Sequence, residues 1–156
     1  MKKDNIRDYA TEAFRFYARK GRPTYESLMA EIIQKADQEA QEELVGGSGG
    51  IAKPTEWAVF KRDQALQRYE AELLDILAVN KVIAMLNIND TGQRILDAVE
   101  AVYFAHPYRD YERGEISCLV IQASQEKLFC CEKTIYSYLK EARTLFAMER
   151  GLRIEK

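Results

Sequence analysis

The sequence has no long apolar run and no segment typical of secretion, and these two shortages exclude whole classes of protein. Its most apolar stretch, residues 73–86, is shorter than the roughly 18 residues that a membrane-spanning helix needs, and it contains Asp75 and Lys81. No membrane span is therefore expected. No apolar segment follows the polar start of the chain at Met1, which predicts a cytoplasmic protein.

Catalytic and metal-binding patterns are also missing. The single histidine, His106, precedes a proline, where a structural role is expected, and no phosphate-binding loop, zinc-protease or serine-nucleophile motif is present. Cys130 and Cys131 are adjacent, so they cannot form the C-x-x-C pair of a zinc site. Cys118 stands alone, so the sequence has no second cysteine pair either. We expect free thiols in a reducing compartment, no metal, no cofactor and no enzymatic activity.

The charge balance excludes a uniformly basic nucleic-acid binder. The 156 residues include 23 basic and 25 acidic ones, a net charge of −2, so a polyanion site has to come from local charge placement. Residues 109–156 carry a net charge of +1, whereas residues 56–108 carry −3. The first 23 residues contain seven basic and three acidic residues.

Three arginines near the start of the chain share a helical face beside two aromatic residues. They are Arg15, Arg19 and Arg22, with Phe16 and Tyr17 as the aromatic neighbours. Basic residues with aromatics can bind nucleic acid. The alternative, which we favour, is that the aromatics enter the core and the arginines lie in solvent.

Apolar residues recur at helical spacing through the first half, which predicts an all-α fold. Asp4 or Asn5 can cap a first helix that stops at residues 21–23. Thr24 can cap a second helix that runs out near Leu44. We expect this second helix to bury three residues: Leu28, Ile32 and Ala36. Residues 46–50 read Gly-Gly-Ser-Gly-Gly, which predicts a flexible loop of native or engineered origin.

A long central helix is predicted from Thr55, as its cap, to about Asn87. Written as heptads, this helix places Asn80 and Asn87 at one core position, as in a homodimeric coiled coil. Its second half is apolar nearly all round, which is more typical of a helix at the centre of a core. We favour the core interpretation and keep the homodimer as the alternative.

The last third predicts three more helices. The first is capped by Thr91 and closed by His106 and Pro107. After a charged loop over residues 108–114, helices are predicted over residues 115–128 and 132–150, and Gly151 is placed as a C-cap.

The last two predicted helices have the pattern of a helix-turn-helix. The second of them places Ile135, Leu139 and Ala142 on one face, which suits packing against a helical core, and leaves polar residues on the other. Lysine, serine and tyrosine side chains there can contact phosphates and base edges in the major groove. The predicted DNA-binding residues are Lys133, Thr134, Tyr136, Ser137, Lys140 and Arg143.

Residues 132–143 resemble the recognition helix of sigma-factor region-four domains and of small phage and prophage transcriptional regulators. Thr134 and Ile135 match the Thr-Val pair of that pattern, and Leu128 and Cys130 match its two apolar positions. Phe129 stands where the family has the turn glycine. Two further departures are Cys131 in place of the usual serine cap and Gln125 in place of an alanine, which Ala123 would supply if the turn were two residues longer.

The resemblance covers residues 92–152 and implies binding to double-stranded promoter DNA, often with contact to RNA polymerase. We therefore predict a helical region over residues 1–90 and a helix-turn-helix domain, a three-helix unit, over residues 91–156. The predicted function is a sequence-specific transcriptional regulator of phage or prophage origin. The alternatives are a DNA-packaging or replication accessory protein, similar to a terminase small subunit, and a helical interaction module that binds no DNA.

Overall fold

The computed structural model describes residues 4–45 and 53–152, and these residues form seven helices and no strand. The all-α prediction is confirmed. The helices are α1 (Asn5–Arg19), α2 (Tyr25–Val45), α3 (Pro54–Arg68), α4 (Glu70–Leu86), α5 (Asp90–Val102), α6 (Glu115–Glu126) and α7 (Glu132–Arg150). None of the described helices is long and apolar enough to cross a membrane. The predicted flexible loop at residues 46–50 lies outside the described residues.

Three helix ends form as their cap residues predict. The carboxylate of Asp4 accepts a hydrogen bond from the Arg7 amide at 2.9 Å, which satisfies an amide at the start of α1. The hydroxyl of Thr24 accepts one from the Ser27 amide at 3.1 Å before α2. Gly151 ends α7 in the left-handed conformation, with φ of 77°.

Two predicted caps are wrong. Lys53, and not Thr55, holds the N-cap position of α3, and Pro54 opens that helix, where its missing amide N–H costs nothing. The cap of α5 is Asn89 instead of Thr91, because the Asn89 side chain accepts a hydrogen bond from the Gly92 amide at 2.7 Å.

The predicted continuous central helix is also wrong, because the chain leaves helical geometry at Tyr69, with φ of −101° and ψ of 14°. The apolar spacing continues across this residue, so the pattern does not reveal the break. In α4, Ile76, Val79 and Val82 are fully buried, as the core interpretation predicts. The homodimer stays a prediction.

The chain divides into two compact units, and it passes from one to the other after residue 22 and again after residue 76, within α4. The first unit comprises residues 1–22 and 77–156, and the second comprises residues 23–76. In the first unit α1 packs on α7, where the rings of Phe14 and Phe146 lie 5.7 Å apart. These units have other bounds than the predicted regions 1–90 and 91–156, which stay a prediction. Local spacing in the sequence does not show that the first helix packs with the last.

In the second unit α2 and α3 pack against each other. Two ion pairs join them: Arg62 contacts both carboxylate oxygens of Asp37 at 2.6 and 2.8 Å, and Lys61 lies 2.9 Å from Glu43. α2 buries all three of its predicted apolar residues, together with Ala40; the predicted ones are Leu28, Ile32 and Ala36.

Candidate nucleic-acid interface

The candidate interface is the outward face of α7. Lys133, Tyr136, Ser137 and Lys140 follow the three-four spacing of one helical face, and all four are exposed. The side chain of Tyr136 leans towards α6, where its hydroxyl donates a hydrogen bond to Ser117 at 3.4 Å. The other three side chains project from the helix.

The opposite face of α7 fixes the helix in the first unit. Ile135, Leu139 and Ala142 are buried, as their spacing predicts, and Phe146 is fully buried further along the helix. α5, α6 and α7 each contact the other two, and α1 contacts α7 as well. The outward side chains therefore stand on a helix whose orientation in this unit is set by packing on several sides.

Thr134 and Arg143 are predicted site residues that already have partners within the protein. The hydroxyl oxygen of Thr134 lies 3.0 Å from the sulfur of Cys131. The guanidinium of Arg143 donates a hydrogen bond at 2.7 Å to the hydroxyl of Tyr103, a residue buried in the core. These two side chains lie at the edges of the outward face, whereas Lys133, Ser137 and Lys140 form its centre. A role of the six residues in DNA binding stays a prediction.

The connection from α6 to α7 is a tight turn over residues 127–131. The amide of Leu128 donates to the Ala123 carbonyl at 2.9 Å, and the Ser124 hydroxyl donates to the Cys130 carbonyl. Phe129 has φ of 52° and is 79% exposed. The residue at the place of the family's glycine thus adopts the left-handed conformation that glycine adopts most readily.

The two residues considered for the family's alanine position differ in burial. Ala123 is almost fully buried in α6, whereas Gln125 is exposed. Ala123 lies six residues before Phe129, so it would match the family's alanine only if the turn were two residues longer, and the resemblance stays a prediction.

Cys131 occupies the N-cap position of α7 with extended backbone angles but makes no capping hydrogen bond with its side chain. The hydrogen bond with the Thr134 side chain, and then the backbone amides of Thr134 and Lys133, lower the pKa of the Cys131 thiol. The start of α7 therefore favours negative charge, as helix N-termini do.

The charge of the outward face is not neutralised by nearby carboxylates. Among the described residues, neither Lys133 nor Lys140 takes part in an ion pair. Over the sequence, the first unit has 18 basic and 14 acidic residues, a net charge of +4, whereas the second has 5 and 11, a net charge of −6. The unit that contains α7 is thus the basic part of an acidic chain.

Two arginines of α1, Arg15 and Arg19, and Arg22, which follows this helix, do not form a free basic face. Arg15 is 3% exposed, Arg19 donates to the Pro107 carbonyl at 3.0 Å, and Arg22 lies 3.5 Å from the carboxylate of Glu100. The expectation that all three lie in solvent is wrong for Arg15. All three have partners within the first unit, so they offer little to a nucleic acid.

Arg15 has a structural role that the sequence did not reveal. Its guanidinium donates four hydrogen bonds of 2.6–3.0 Å to backbone carbonyls after α5 and lies 3.5 Å from the centre of the Tyr111 ring. The carbonyls belong to Tyr103, Ala105, His106 and Arg109. No sequence signal marks this role, since the acceptors are backbone atoms about 90 residues away.

The described residues contain no group of three or more histidine, cysteine or acidic side chains that could hold a metal ion. Comparison of the chain with protein-family models, curated proteins and solved structures finds no match.

Proposed function

We propose that this chain is a sequence-specific DNA-binding transcriptional regulator in which α6 and α7 act as a helix-turn-helix. The observation that carries the proposal is a pair of lysines, Lys133 and Lys140, that have no ion pair among the described residues. They lie one on each side of Ser137 on the exposed face of a helix whose other face is buried. In a helix-turn-helix the recognition helix needs this combination of a fixed inner face and a polar outer face.

The local geometry supports the proposal at the turn. α6 ends at Glu126 and α7 begins at Glu132, so the connection is short, and α5 contacts both helices. The left-handed residue, Phe129, lies within this connection. A short turn with one left-handed residue lets two helices meet at a steep angle while both keep contact with a third.

The side chains suit duplex DNA. Lysine side chains bind phosphates and guanine edges, and serine and tyrosine hydroxyls can bind either phosphates or bases. The net charge of +4 on the first unit favours approach to a polyanion, although the chain as a whole is acidic. The resemblance in residues 132–143 adds a promoter as the target, phage or prophage origin, and RNA polymerase as a second partner.

The test starts from duplexes selected by the full-length protein from a random library. Binding of the selected site is then measured by fluorescence anisotropy for the wild type and for Lys133→Ala with Lys140→Ala. We expect the double variant to bind at least about tenfold more weakly and to melt at the wild-type temperature. If each lysine contacts one phosphate, the salt dependence of binding falls by about one for each lysine removed.

Lys81→Ala is the matched control, since Lys81 is an exposed lysine of the first unit that lies on α4. Wild-type affinity in the folded double variant would exclude α7 as the recognition helix. Binding without any preferred sequence would favour a packaging or replication accessory role instead. An absence of DNA binding would favour the alternative of a helical interaction module.

A further inference from the structure

The outward face of α3 combines exposed apolar and acidic side chains. Val59 and Phe60 are 51% and 53% exposed. Glu56 and Asp63 lie on the same helical face, one turn before and one turn after Val59 and Phe60, and both are exposed. We call these four residues the α3 face. They form a short apolar patch with a carboxylate at each end.

The three cations of α3 have other partners, and the guanidinium of Arg68 lies 5.7 Å from the centre of the Tyr69 ring. Lys61 and Arg62 pair with carboxylates of α2, at 2.9 and 2.6 Å. Among the described residues, Asp63 has no ion pair, and Glu56 has only Lys53 at 3.6 Å, with both side chains more than 70% exposed. Solvent screens such an exposed pair strongly. The α3 face therefore keeps its negative character, in a unit whose net charge is −6.

The ring of Phe60, at the centre of the α3 face, is stacked against a neighbouring aromatic side chain. Trp57 stacks on Phe60, with ring centroids 5.5 Å apart and an interplanar angle of 24°, and the Lys61 ammonium lies 5.2 Å from the centre of the Trp57 ring. Exposed aromatic rings with restricted motion are typical anchors of protein interfaces, because binding orders them at a small entropic cost.

We propose that the α3 face binds a basic amphipathic helix of a partner protein. The apolar ridge of such a helix would cover Val59 and Phe60, and its lysines or arginines would meet Glu56 and Asp63. A symmetric contact with a second copy would bring these carboxylates together, and an anionic membrane surface would also be repelled. The proposal does not depend on whether α7 binds DNA.

The probe is a synthetic helical peptide of about 18 residues, five turns, with leucine on one face and lysine on the other. A second peptide with glutamate in place of lysine is the charge control. Trp57 is the only tryptophan of the chain, so its fluorescence reports on the ring that stacks on Phe60. We expect the lysine peptide to shift this emission saturably in the full-length protein, with an affinity that falls as salt rises.

Two double variants locate the binding. Each double variant should bind the lysine peptide at least about tenfold more weakly than the wild type. The first is Val59→Ser with Phe60→Ser, and the second is Glu56→Lys with Asp63→Lys. Binding is measured by calorimetry, so that the readout does not depend on Trp57. Ile88→Ser is the matched control, because Ile88 is 78% exposed and lies outside the second unit.

Four results would overturn the proposal. Three concern the peptides: absent binding of the lysine peptide, equal binding of the two peptides, and wild-type affinity in either folded double variant. Reversible self-association that Phe60→Ser abolishes would also overturn it, because the face would then belong to a contact between copies of this chain. Circular dichroism shows that each variant is folded before its binding is compared.

Discussion

The guanidinium of Arg15 in α1 donates a hydrogen bond of 3.0 Å to the carbonyl oxygen of Tyr103, the C-cap residue of α5. The last carbonyls of a helix have no partner inside it and carry partial negative charge. A buried arginine beside them satisfies the carbonyls and compensates its own charge without a carboxylate. This contact ties the first helix to the segment that leads into α6.

Arg15→Ala is expected to lower the free energy of unfolding by about 3–5 kcal/mol, since it leaves several carbonyls without a donor, and the Tyr103 contact is buried. Arg15→Lys should recover only part of the loss, because an ammonium lacks the planar fork that reaches four acceptors. Urea denaturation measures both. Arg7→Ala, at an exposed position of the same helix, is the control, and an equal effect of the two alanine variants would contradict the assigned role.

The sequence predicts the helices well where a local signal marks them, as at Asp4, Thr24 and Gly151. It fails at Tyr69, because apolar spacing continues through a residue whose backbone leaves the helix. The exposed positions of α7 follow from the burial of Ile135 and Leu139 at helical spacing. The packing of α7 on α1 could not be predicted in this way, because it depends on contacts between side chains that lie far apart in the chain.

Phe129 tests the turn between α6 and α7. A residue with a β-carbon loses about 1–2 kcal/mol in the left-handed conformation, and Phe129 has φ of 52° while being 79% exposed. Phe129→Gly should therefore raise the free energy of unfolding by about 0.5–1 kcal/mol, after the greater flexibility of glycine in the unfolded chain is subtracted. Thermal melting measures the gain.

Phe129→Ala is the matched control, since it removes the same exposed ring but keeps the β-carbon. Its stability should stay within about 0.5 kcal/mol of the wild type. Equal gains from glycine and alanine would mean that the exposed ring, and not the backbone conformation, is the source of the destabilisation.

Cys131 should react as a thiolate at lower pH than an ordinary cysteine, because hydrogen bonds from Thr134 lower its pKa below the usual range of a cysteine thiol. The measurement is the rate of iodoacetamide alkylation against pH in a variant with Cys118→Ser and Cys130→Ser. Adding Thr134→Ala removes the side-chain hydrogen bond and should move the profile to higher pH. An unchanged profile would contradict this cause of the shift.

The same lowered pKa makes stability depend on pH. The folded protein releases the Cys131 proton at lower pH than the unfolded chain, so this contribution grows as pH rises through the folded pKa and is complete above the unfolded pKa. It is lost again as pH falls through the folded pKa. Cys131→Ser should remove this dependence and also supply the usual N-cap oxygen, which stabilises the start of a helix at every pH. Urea denaturation at several pH values separates the two effects.

Ile135 and Tyr136 are neighbours on α7 that should affect different properties of the protein. Ile135 is fully buried, so Ile135→Ala should lower the free energy of unfolding by about 2–5 kcal/mol through lost burial and the cavity left behind. Tyr136 is 43% exposed and makes one hydrogen bond, of 3.4 Å, so Tyr136→Ala should cost no more than about 1 kcal/mol.

If α7 is the recognition helix, Tyr136→Ala weakens binding of the selected duplex while the protein stays folded. Ile135→Ala, assayed well below its melting temperature, should bind that duplex with nearly wild-type affinity, because its side chain faces the core. The reverse outcome, with Tyr136→Ala unfolding the protein and Ile135→Ala affecting only DNA binding, would mean that the two faces of α7 are assigned the wrong way round.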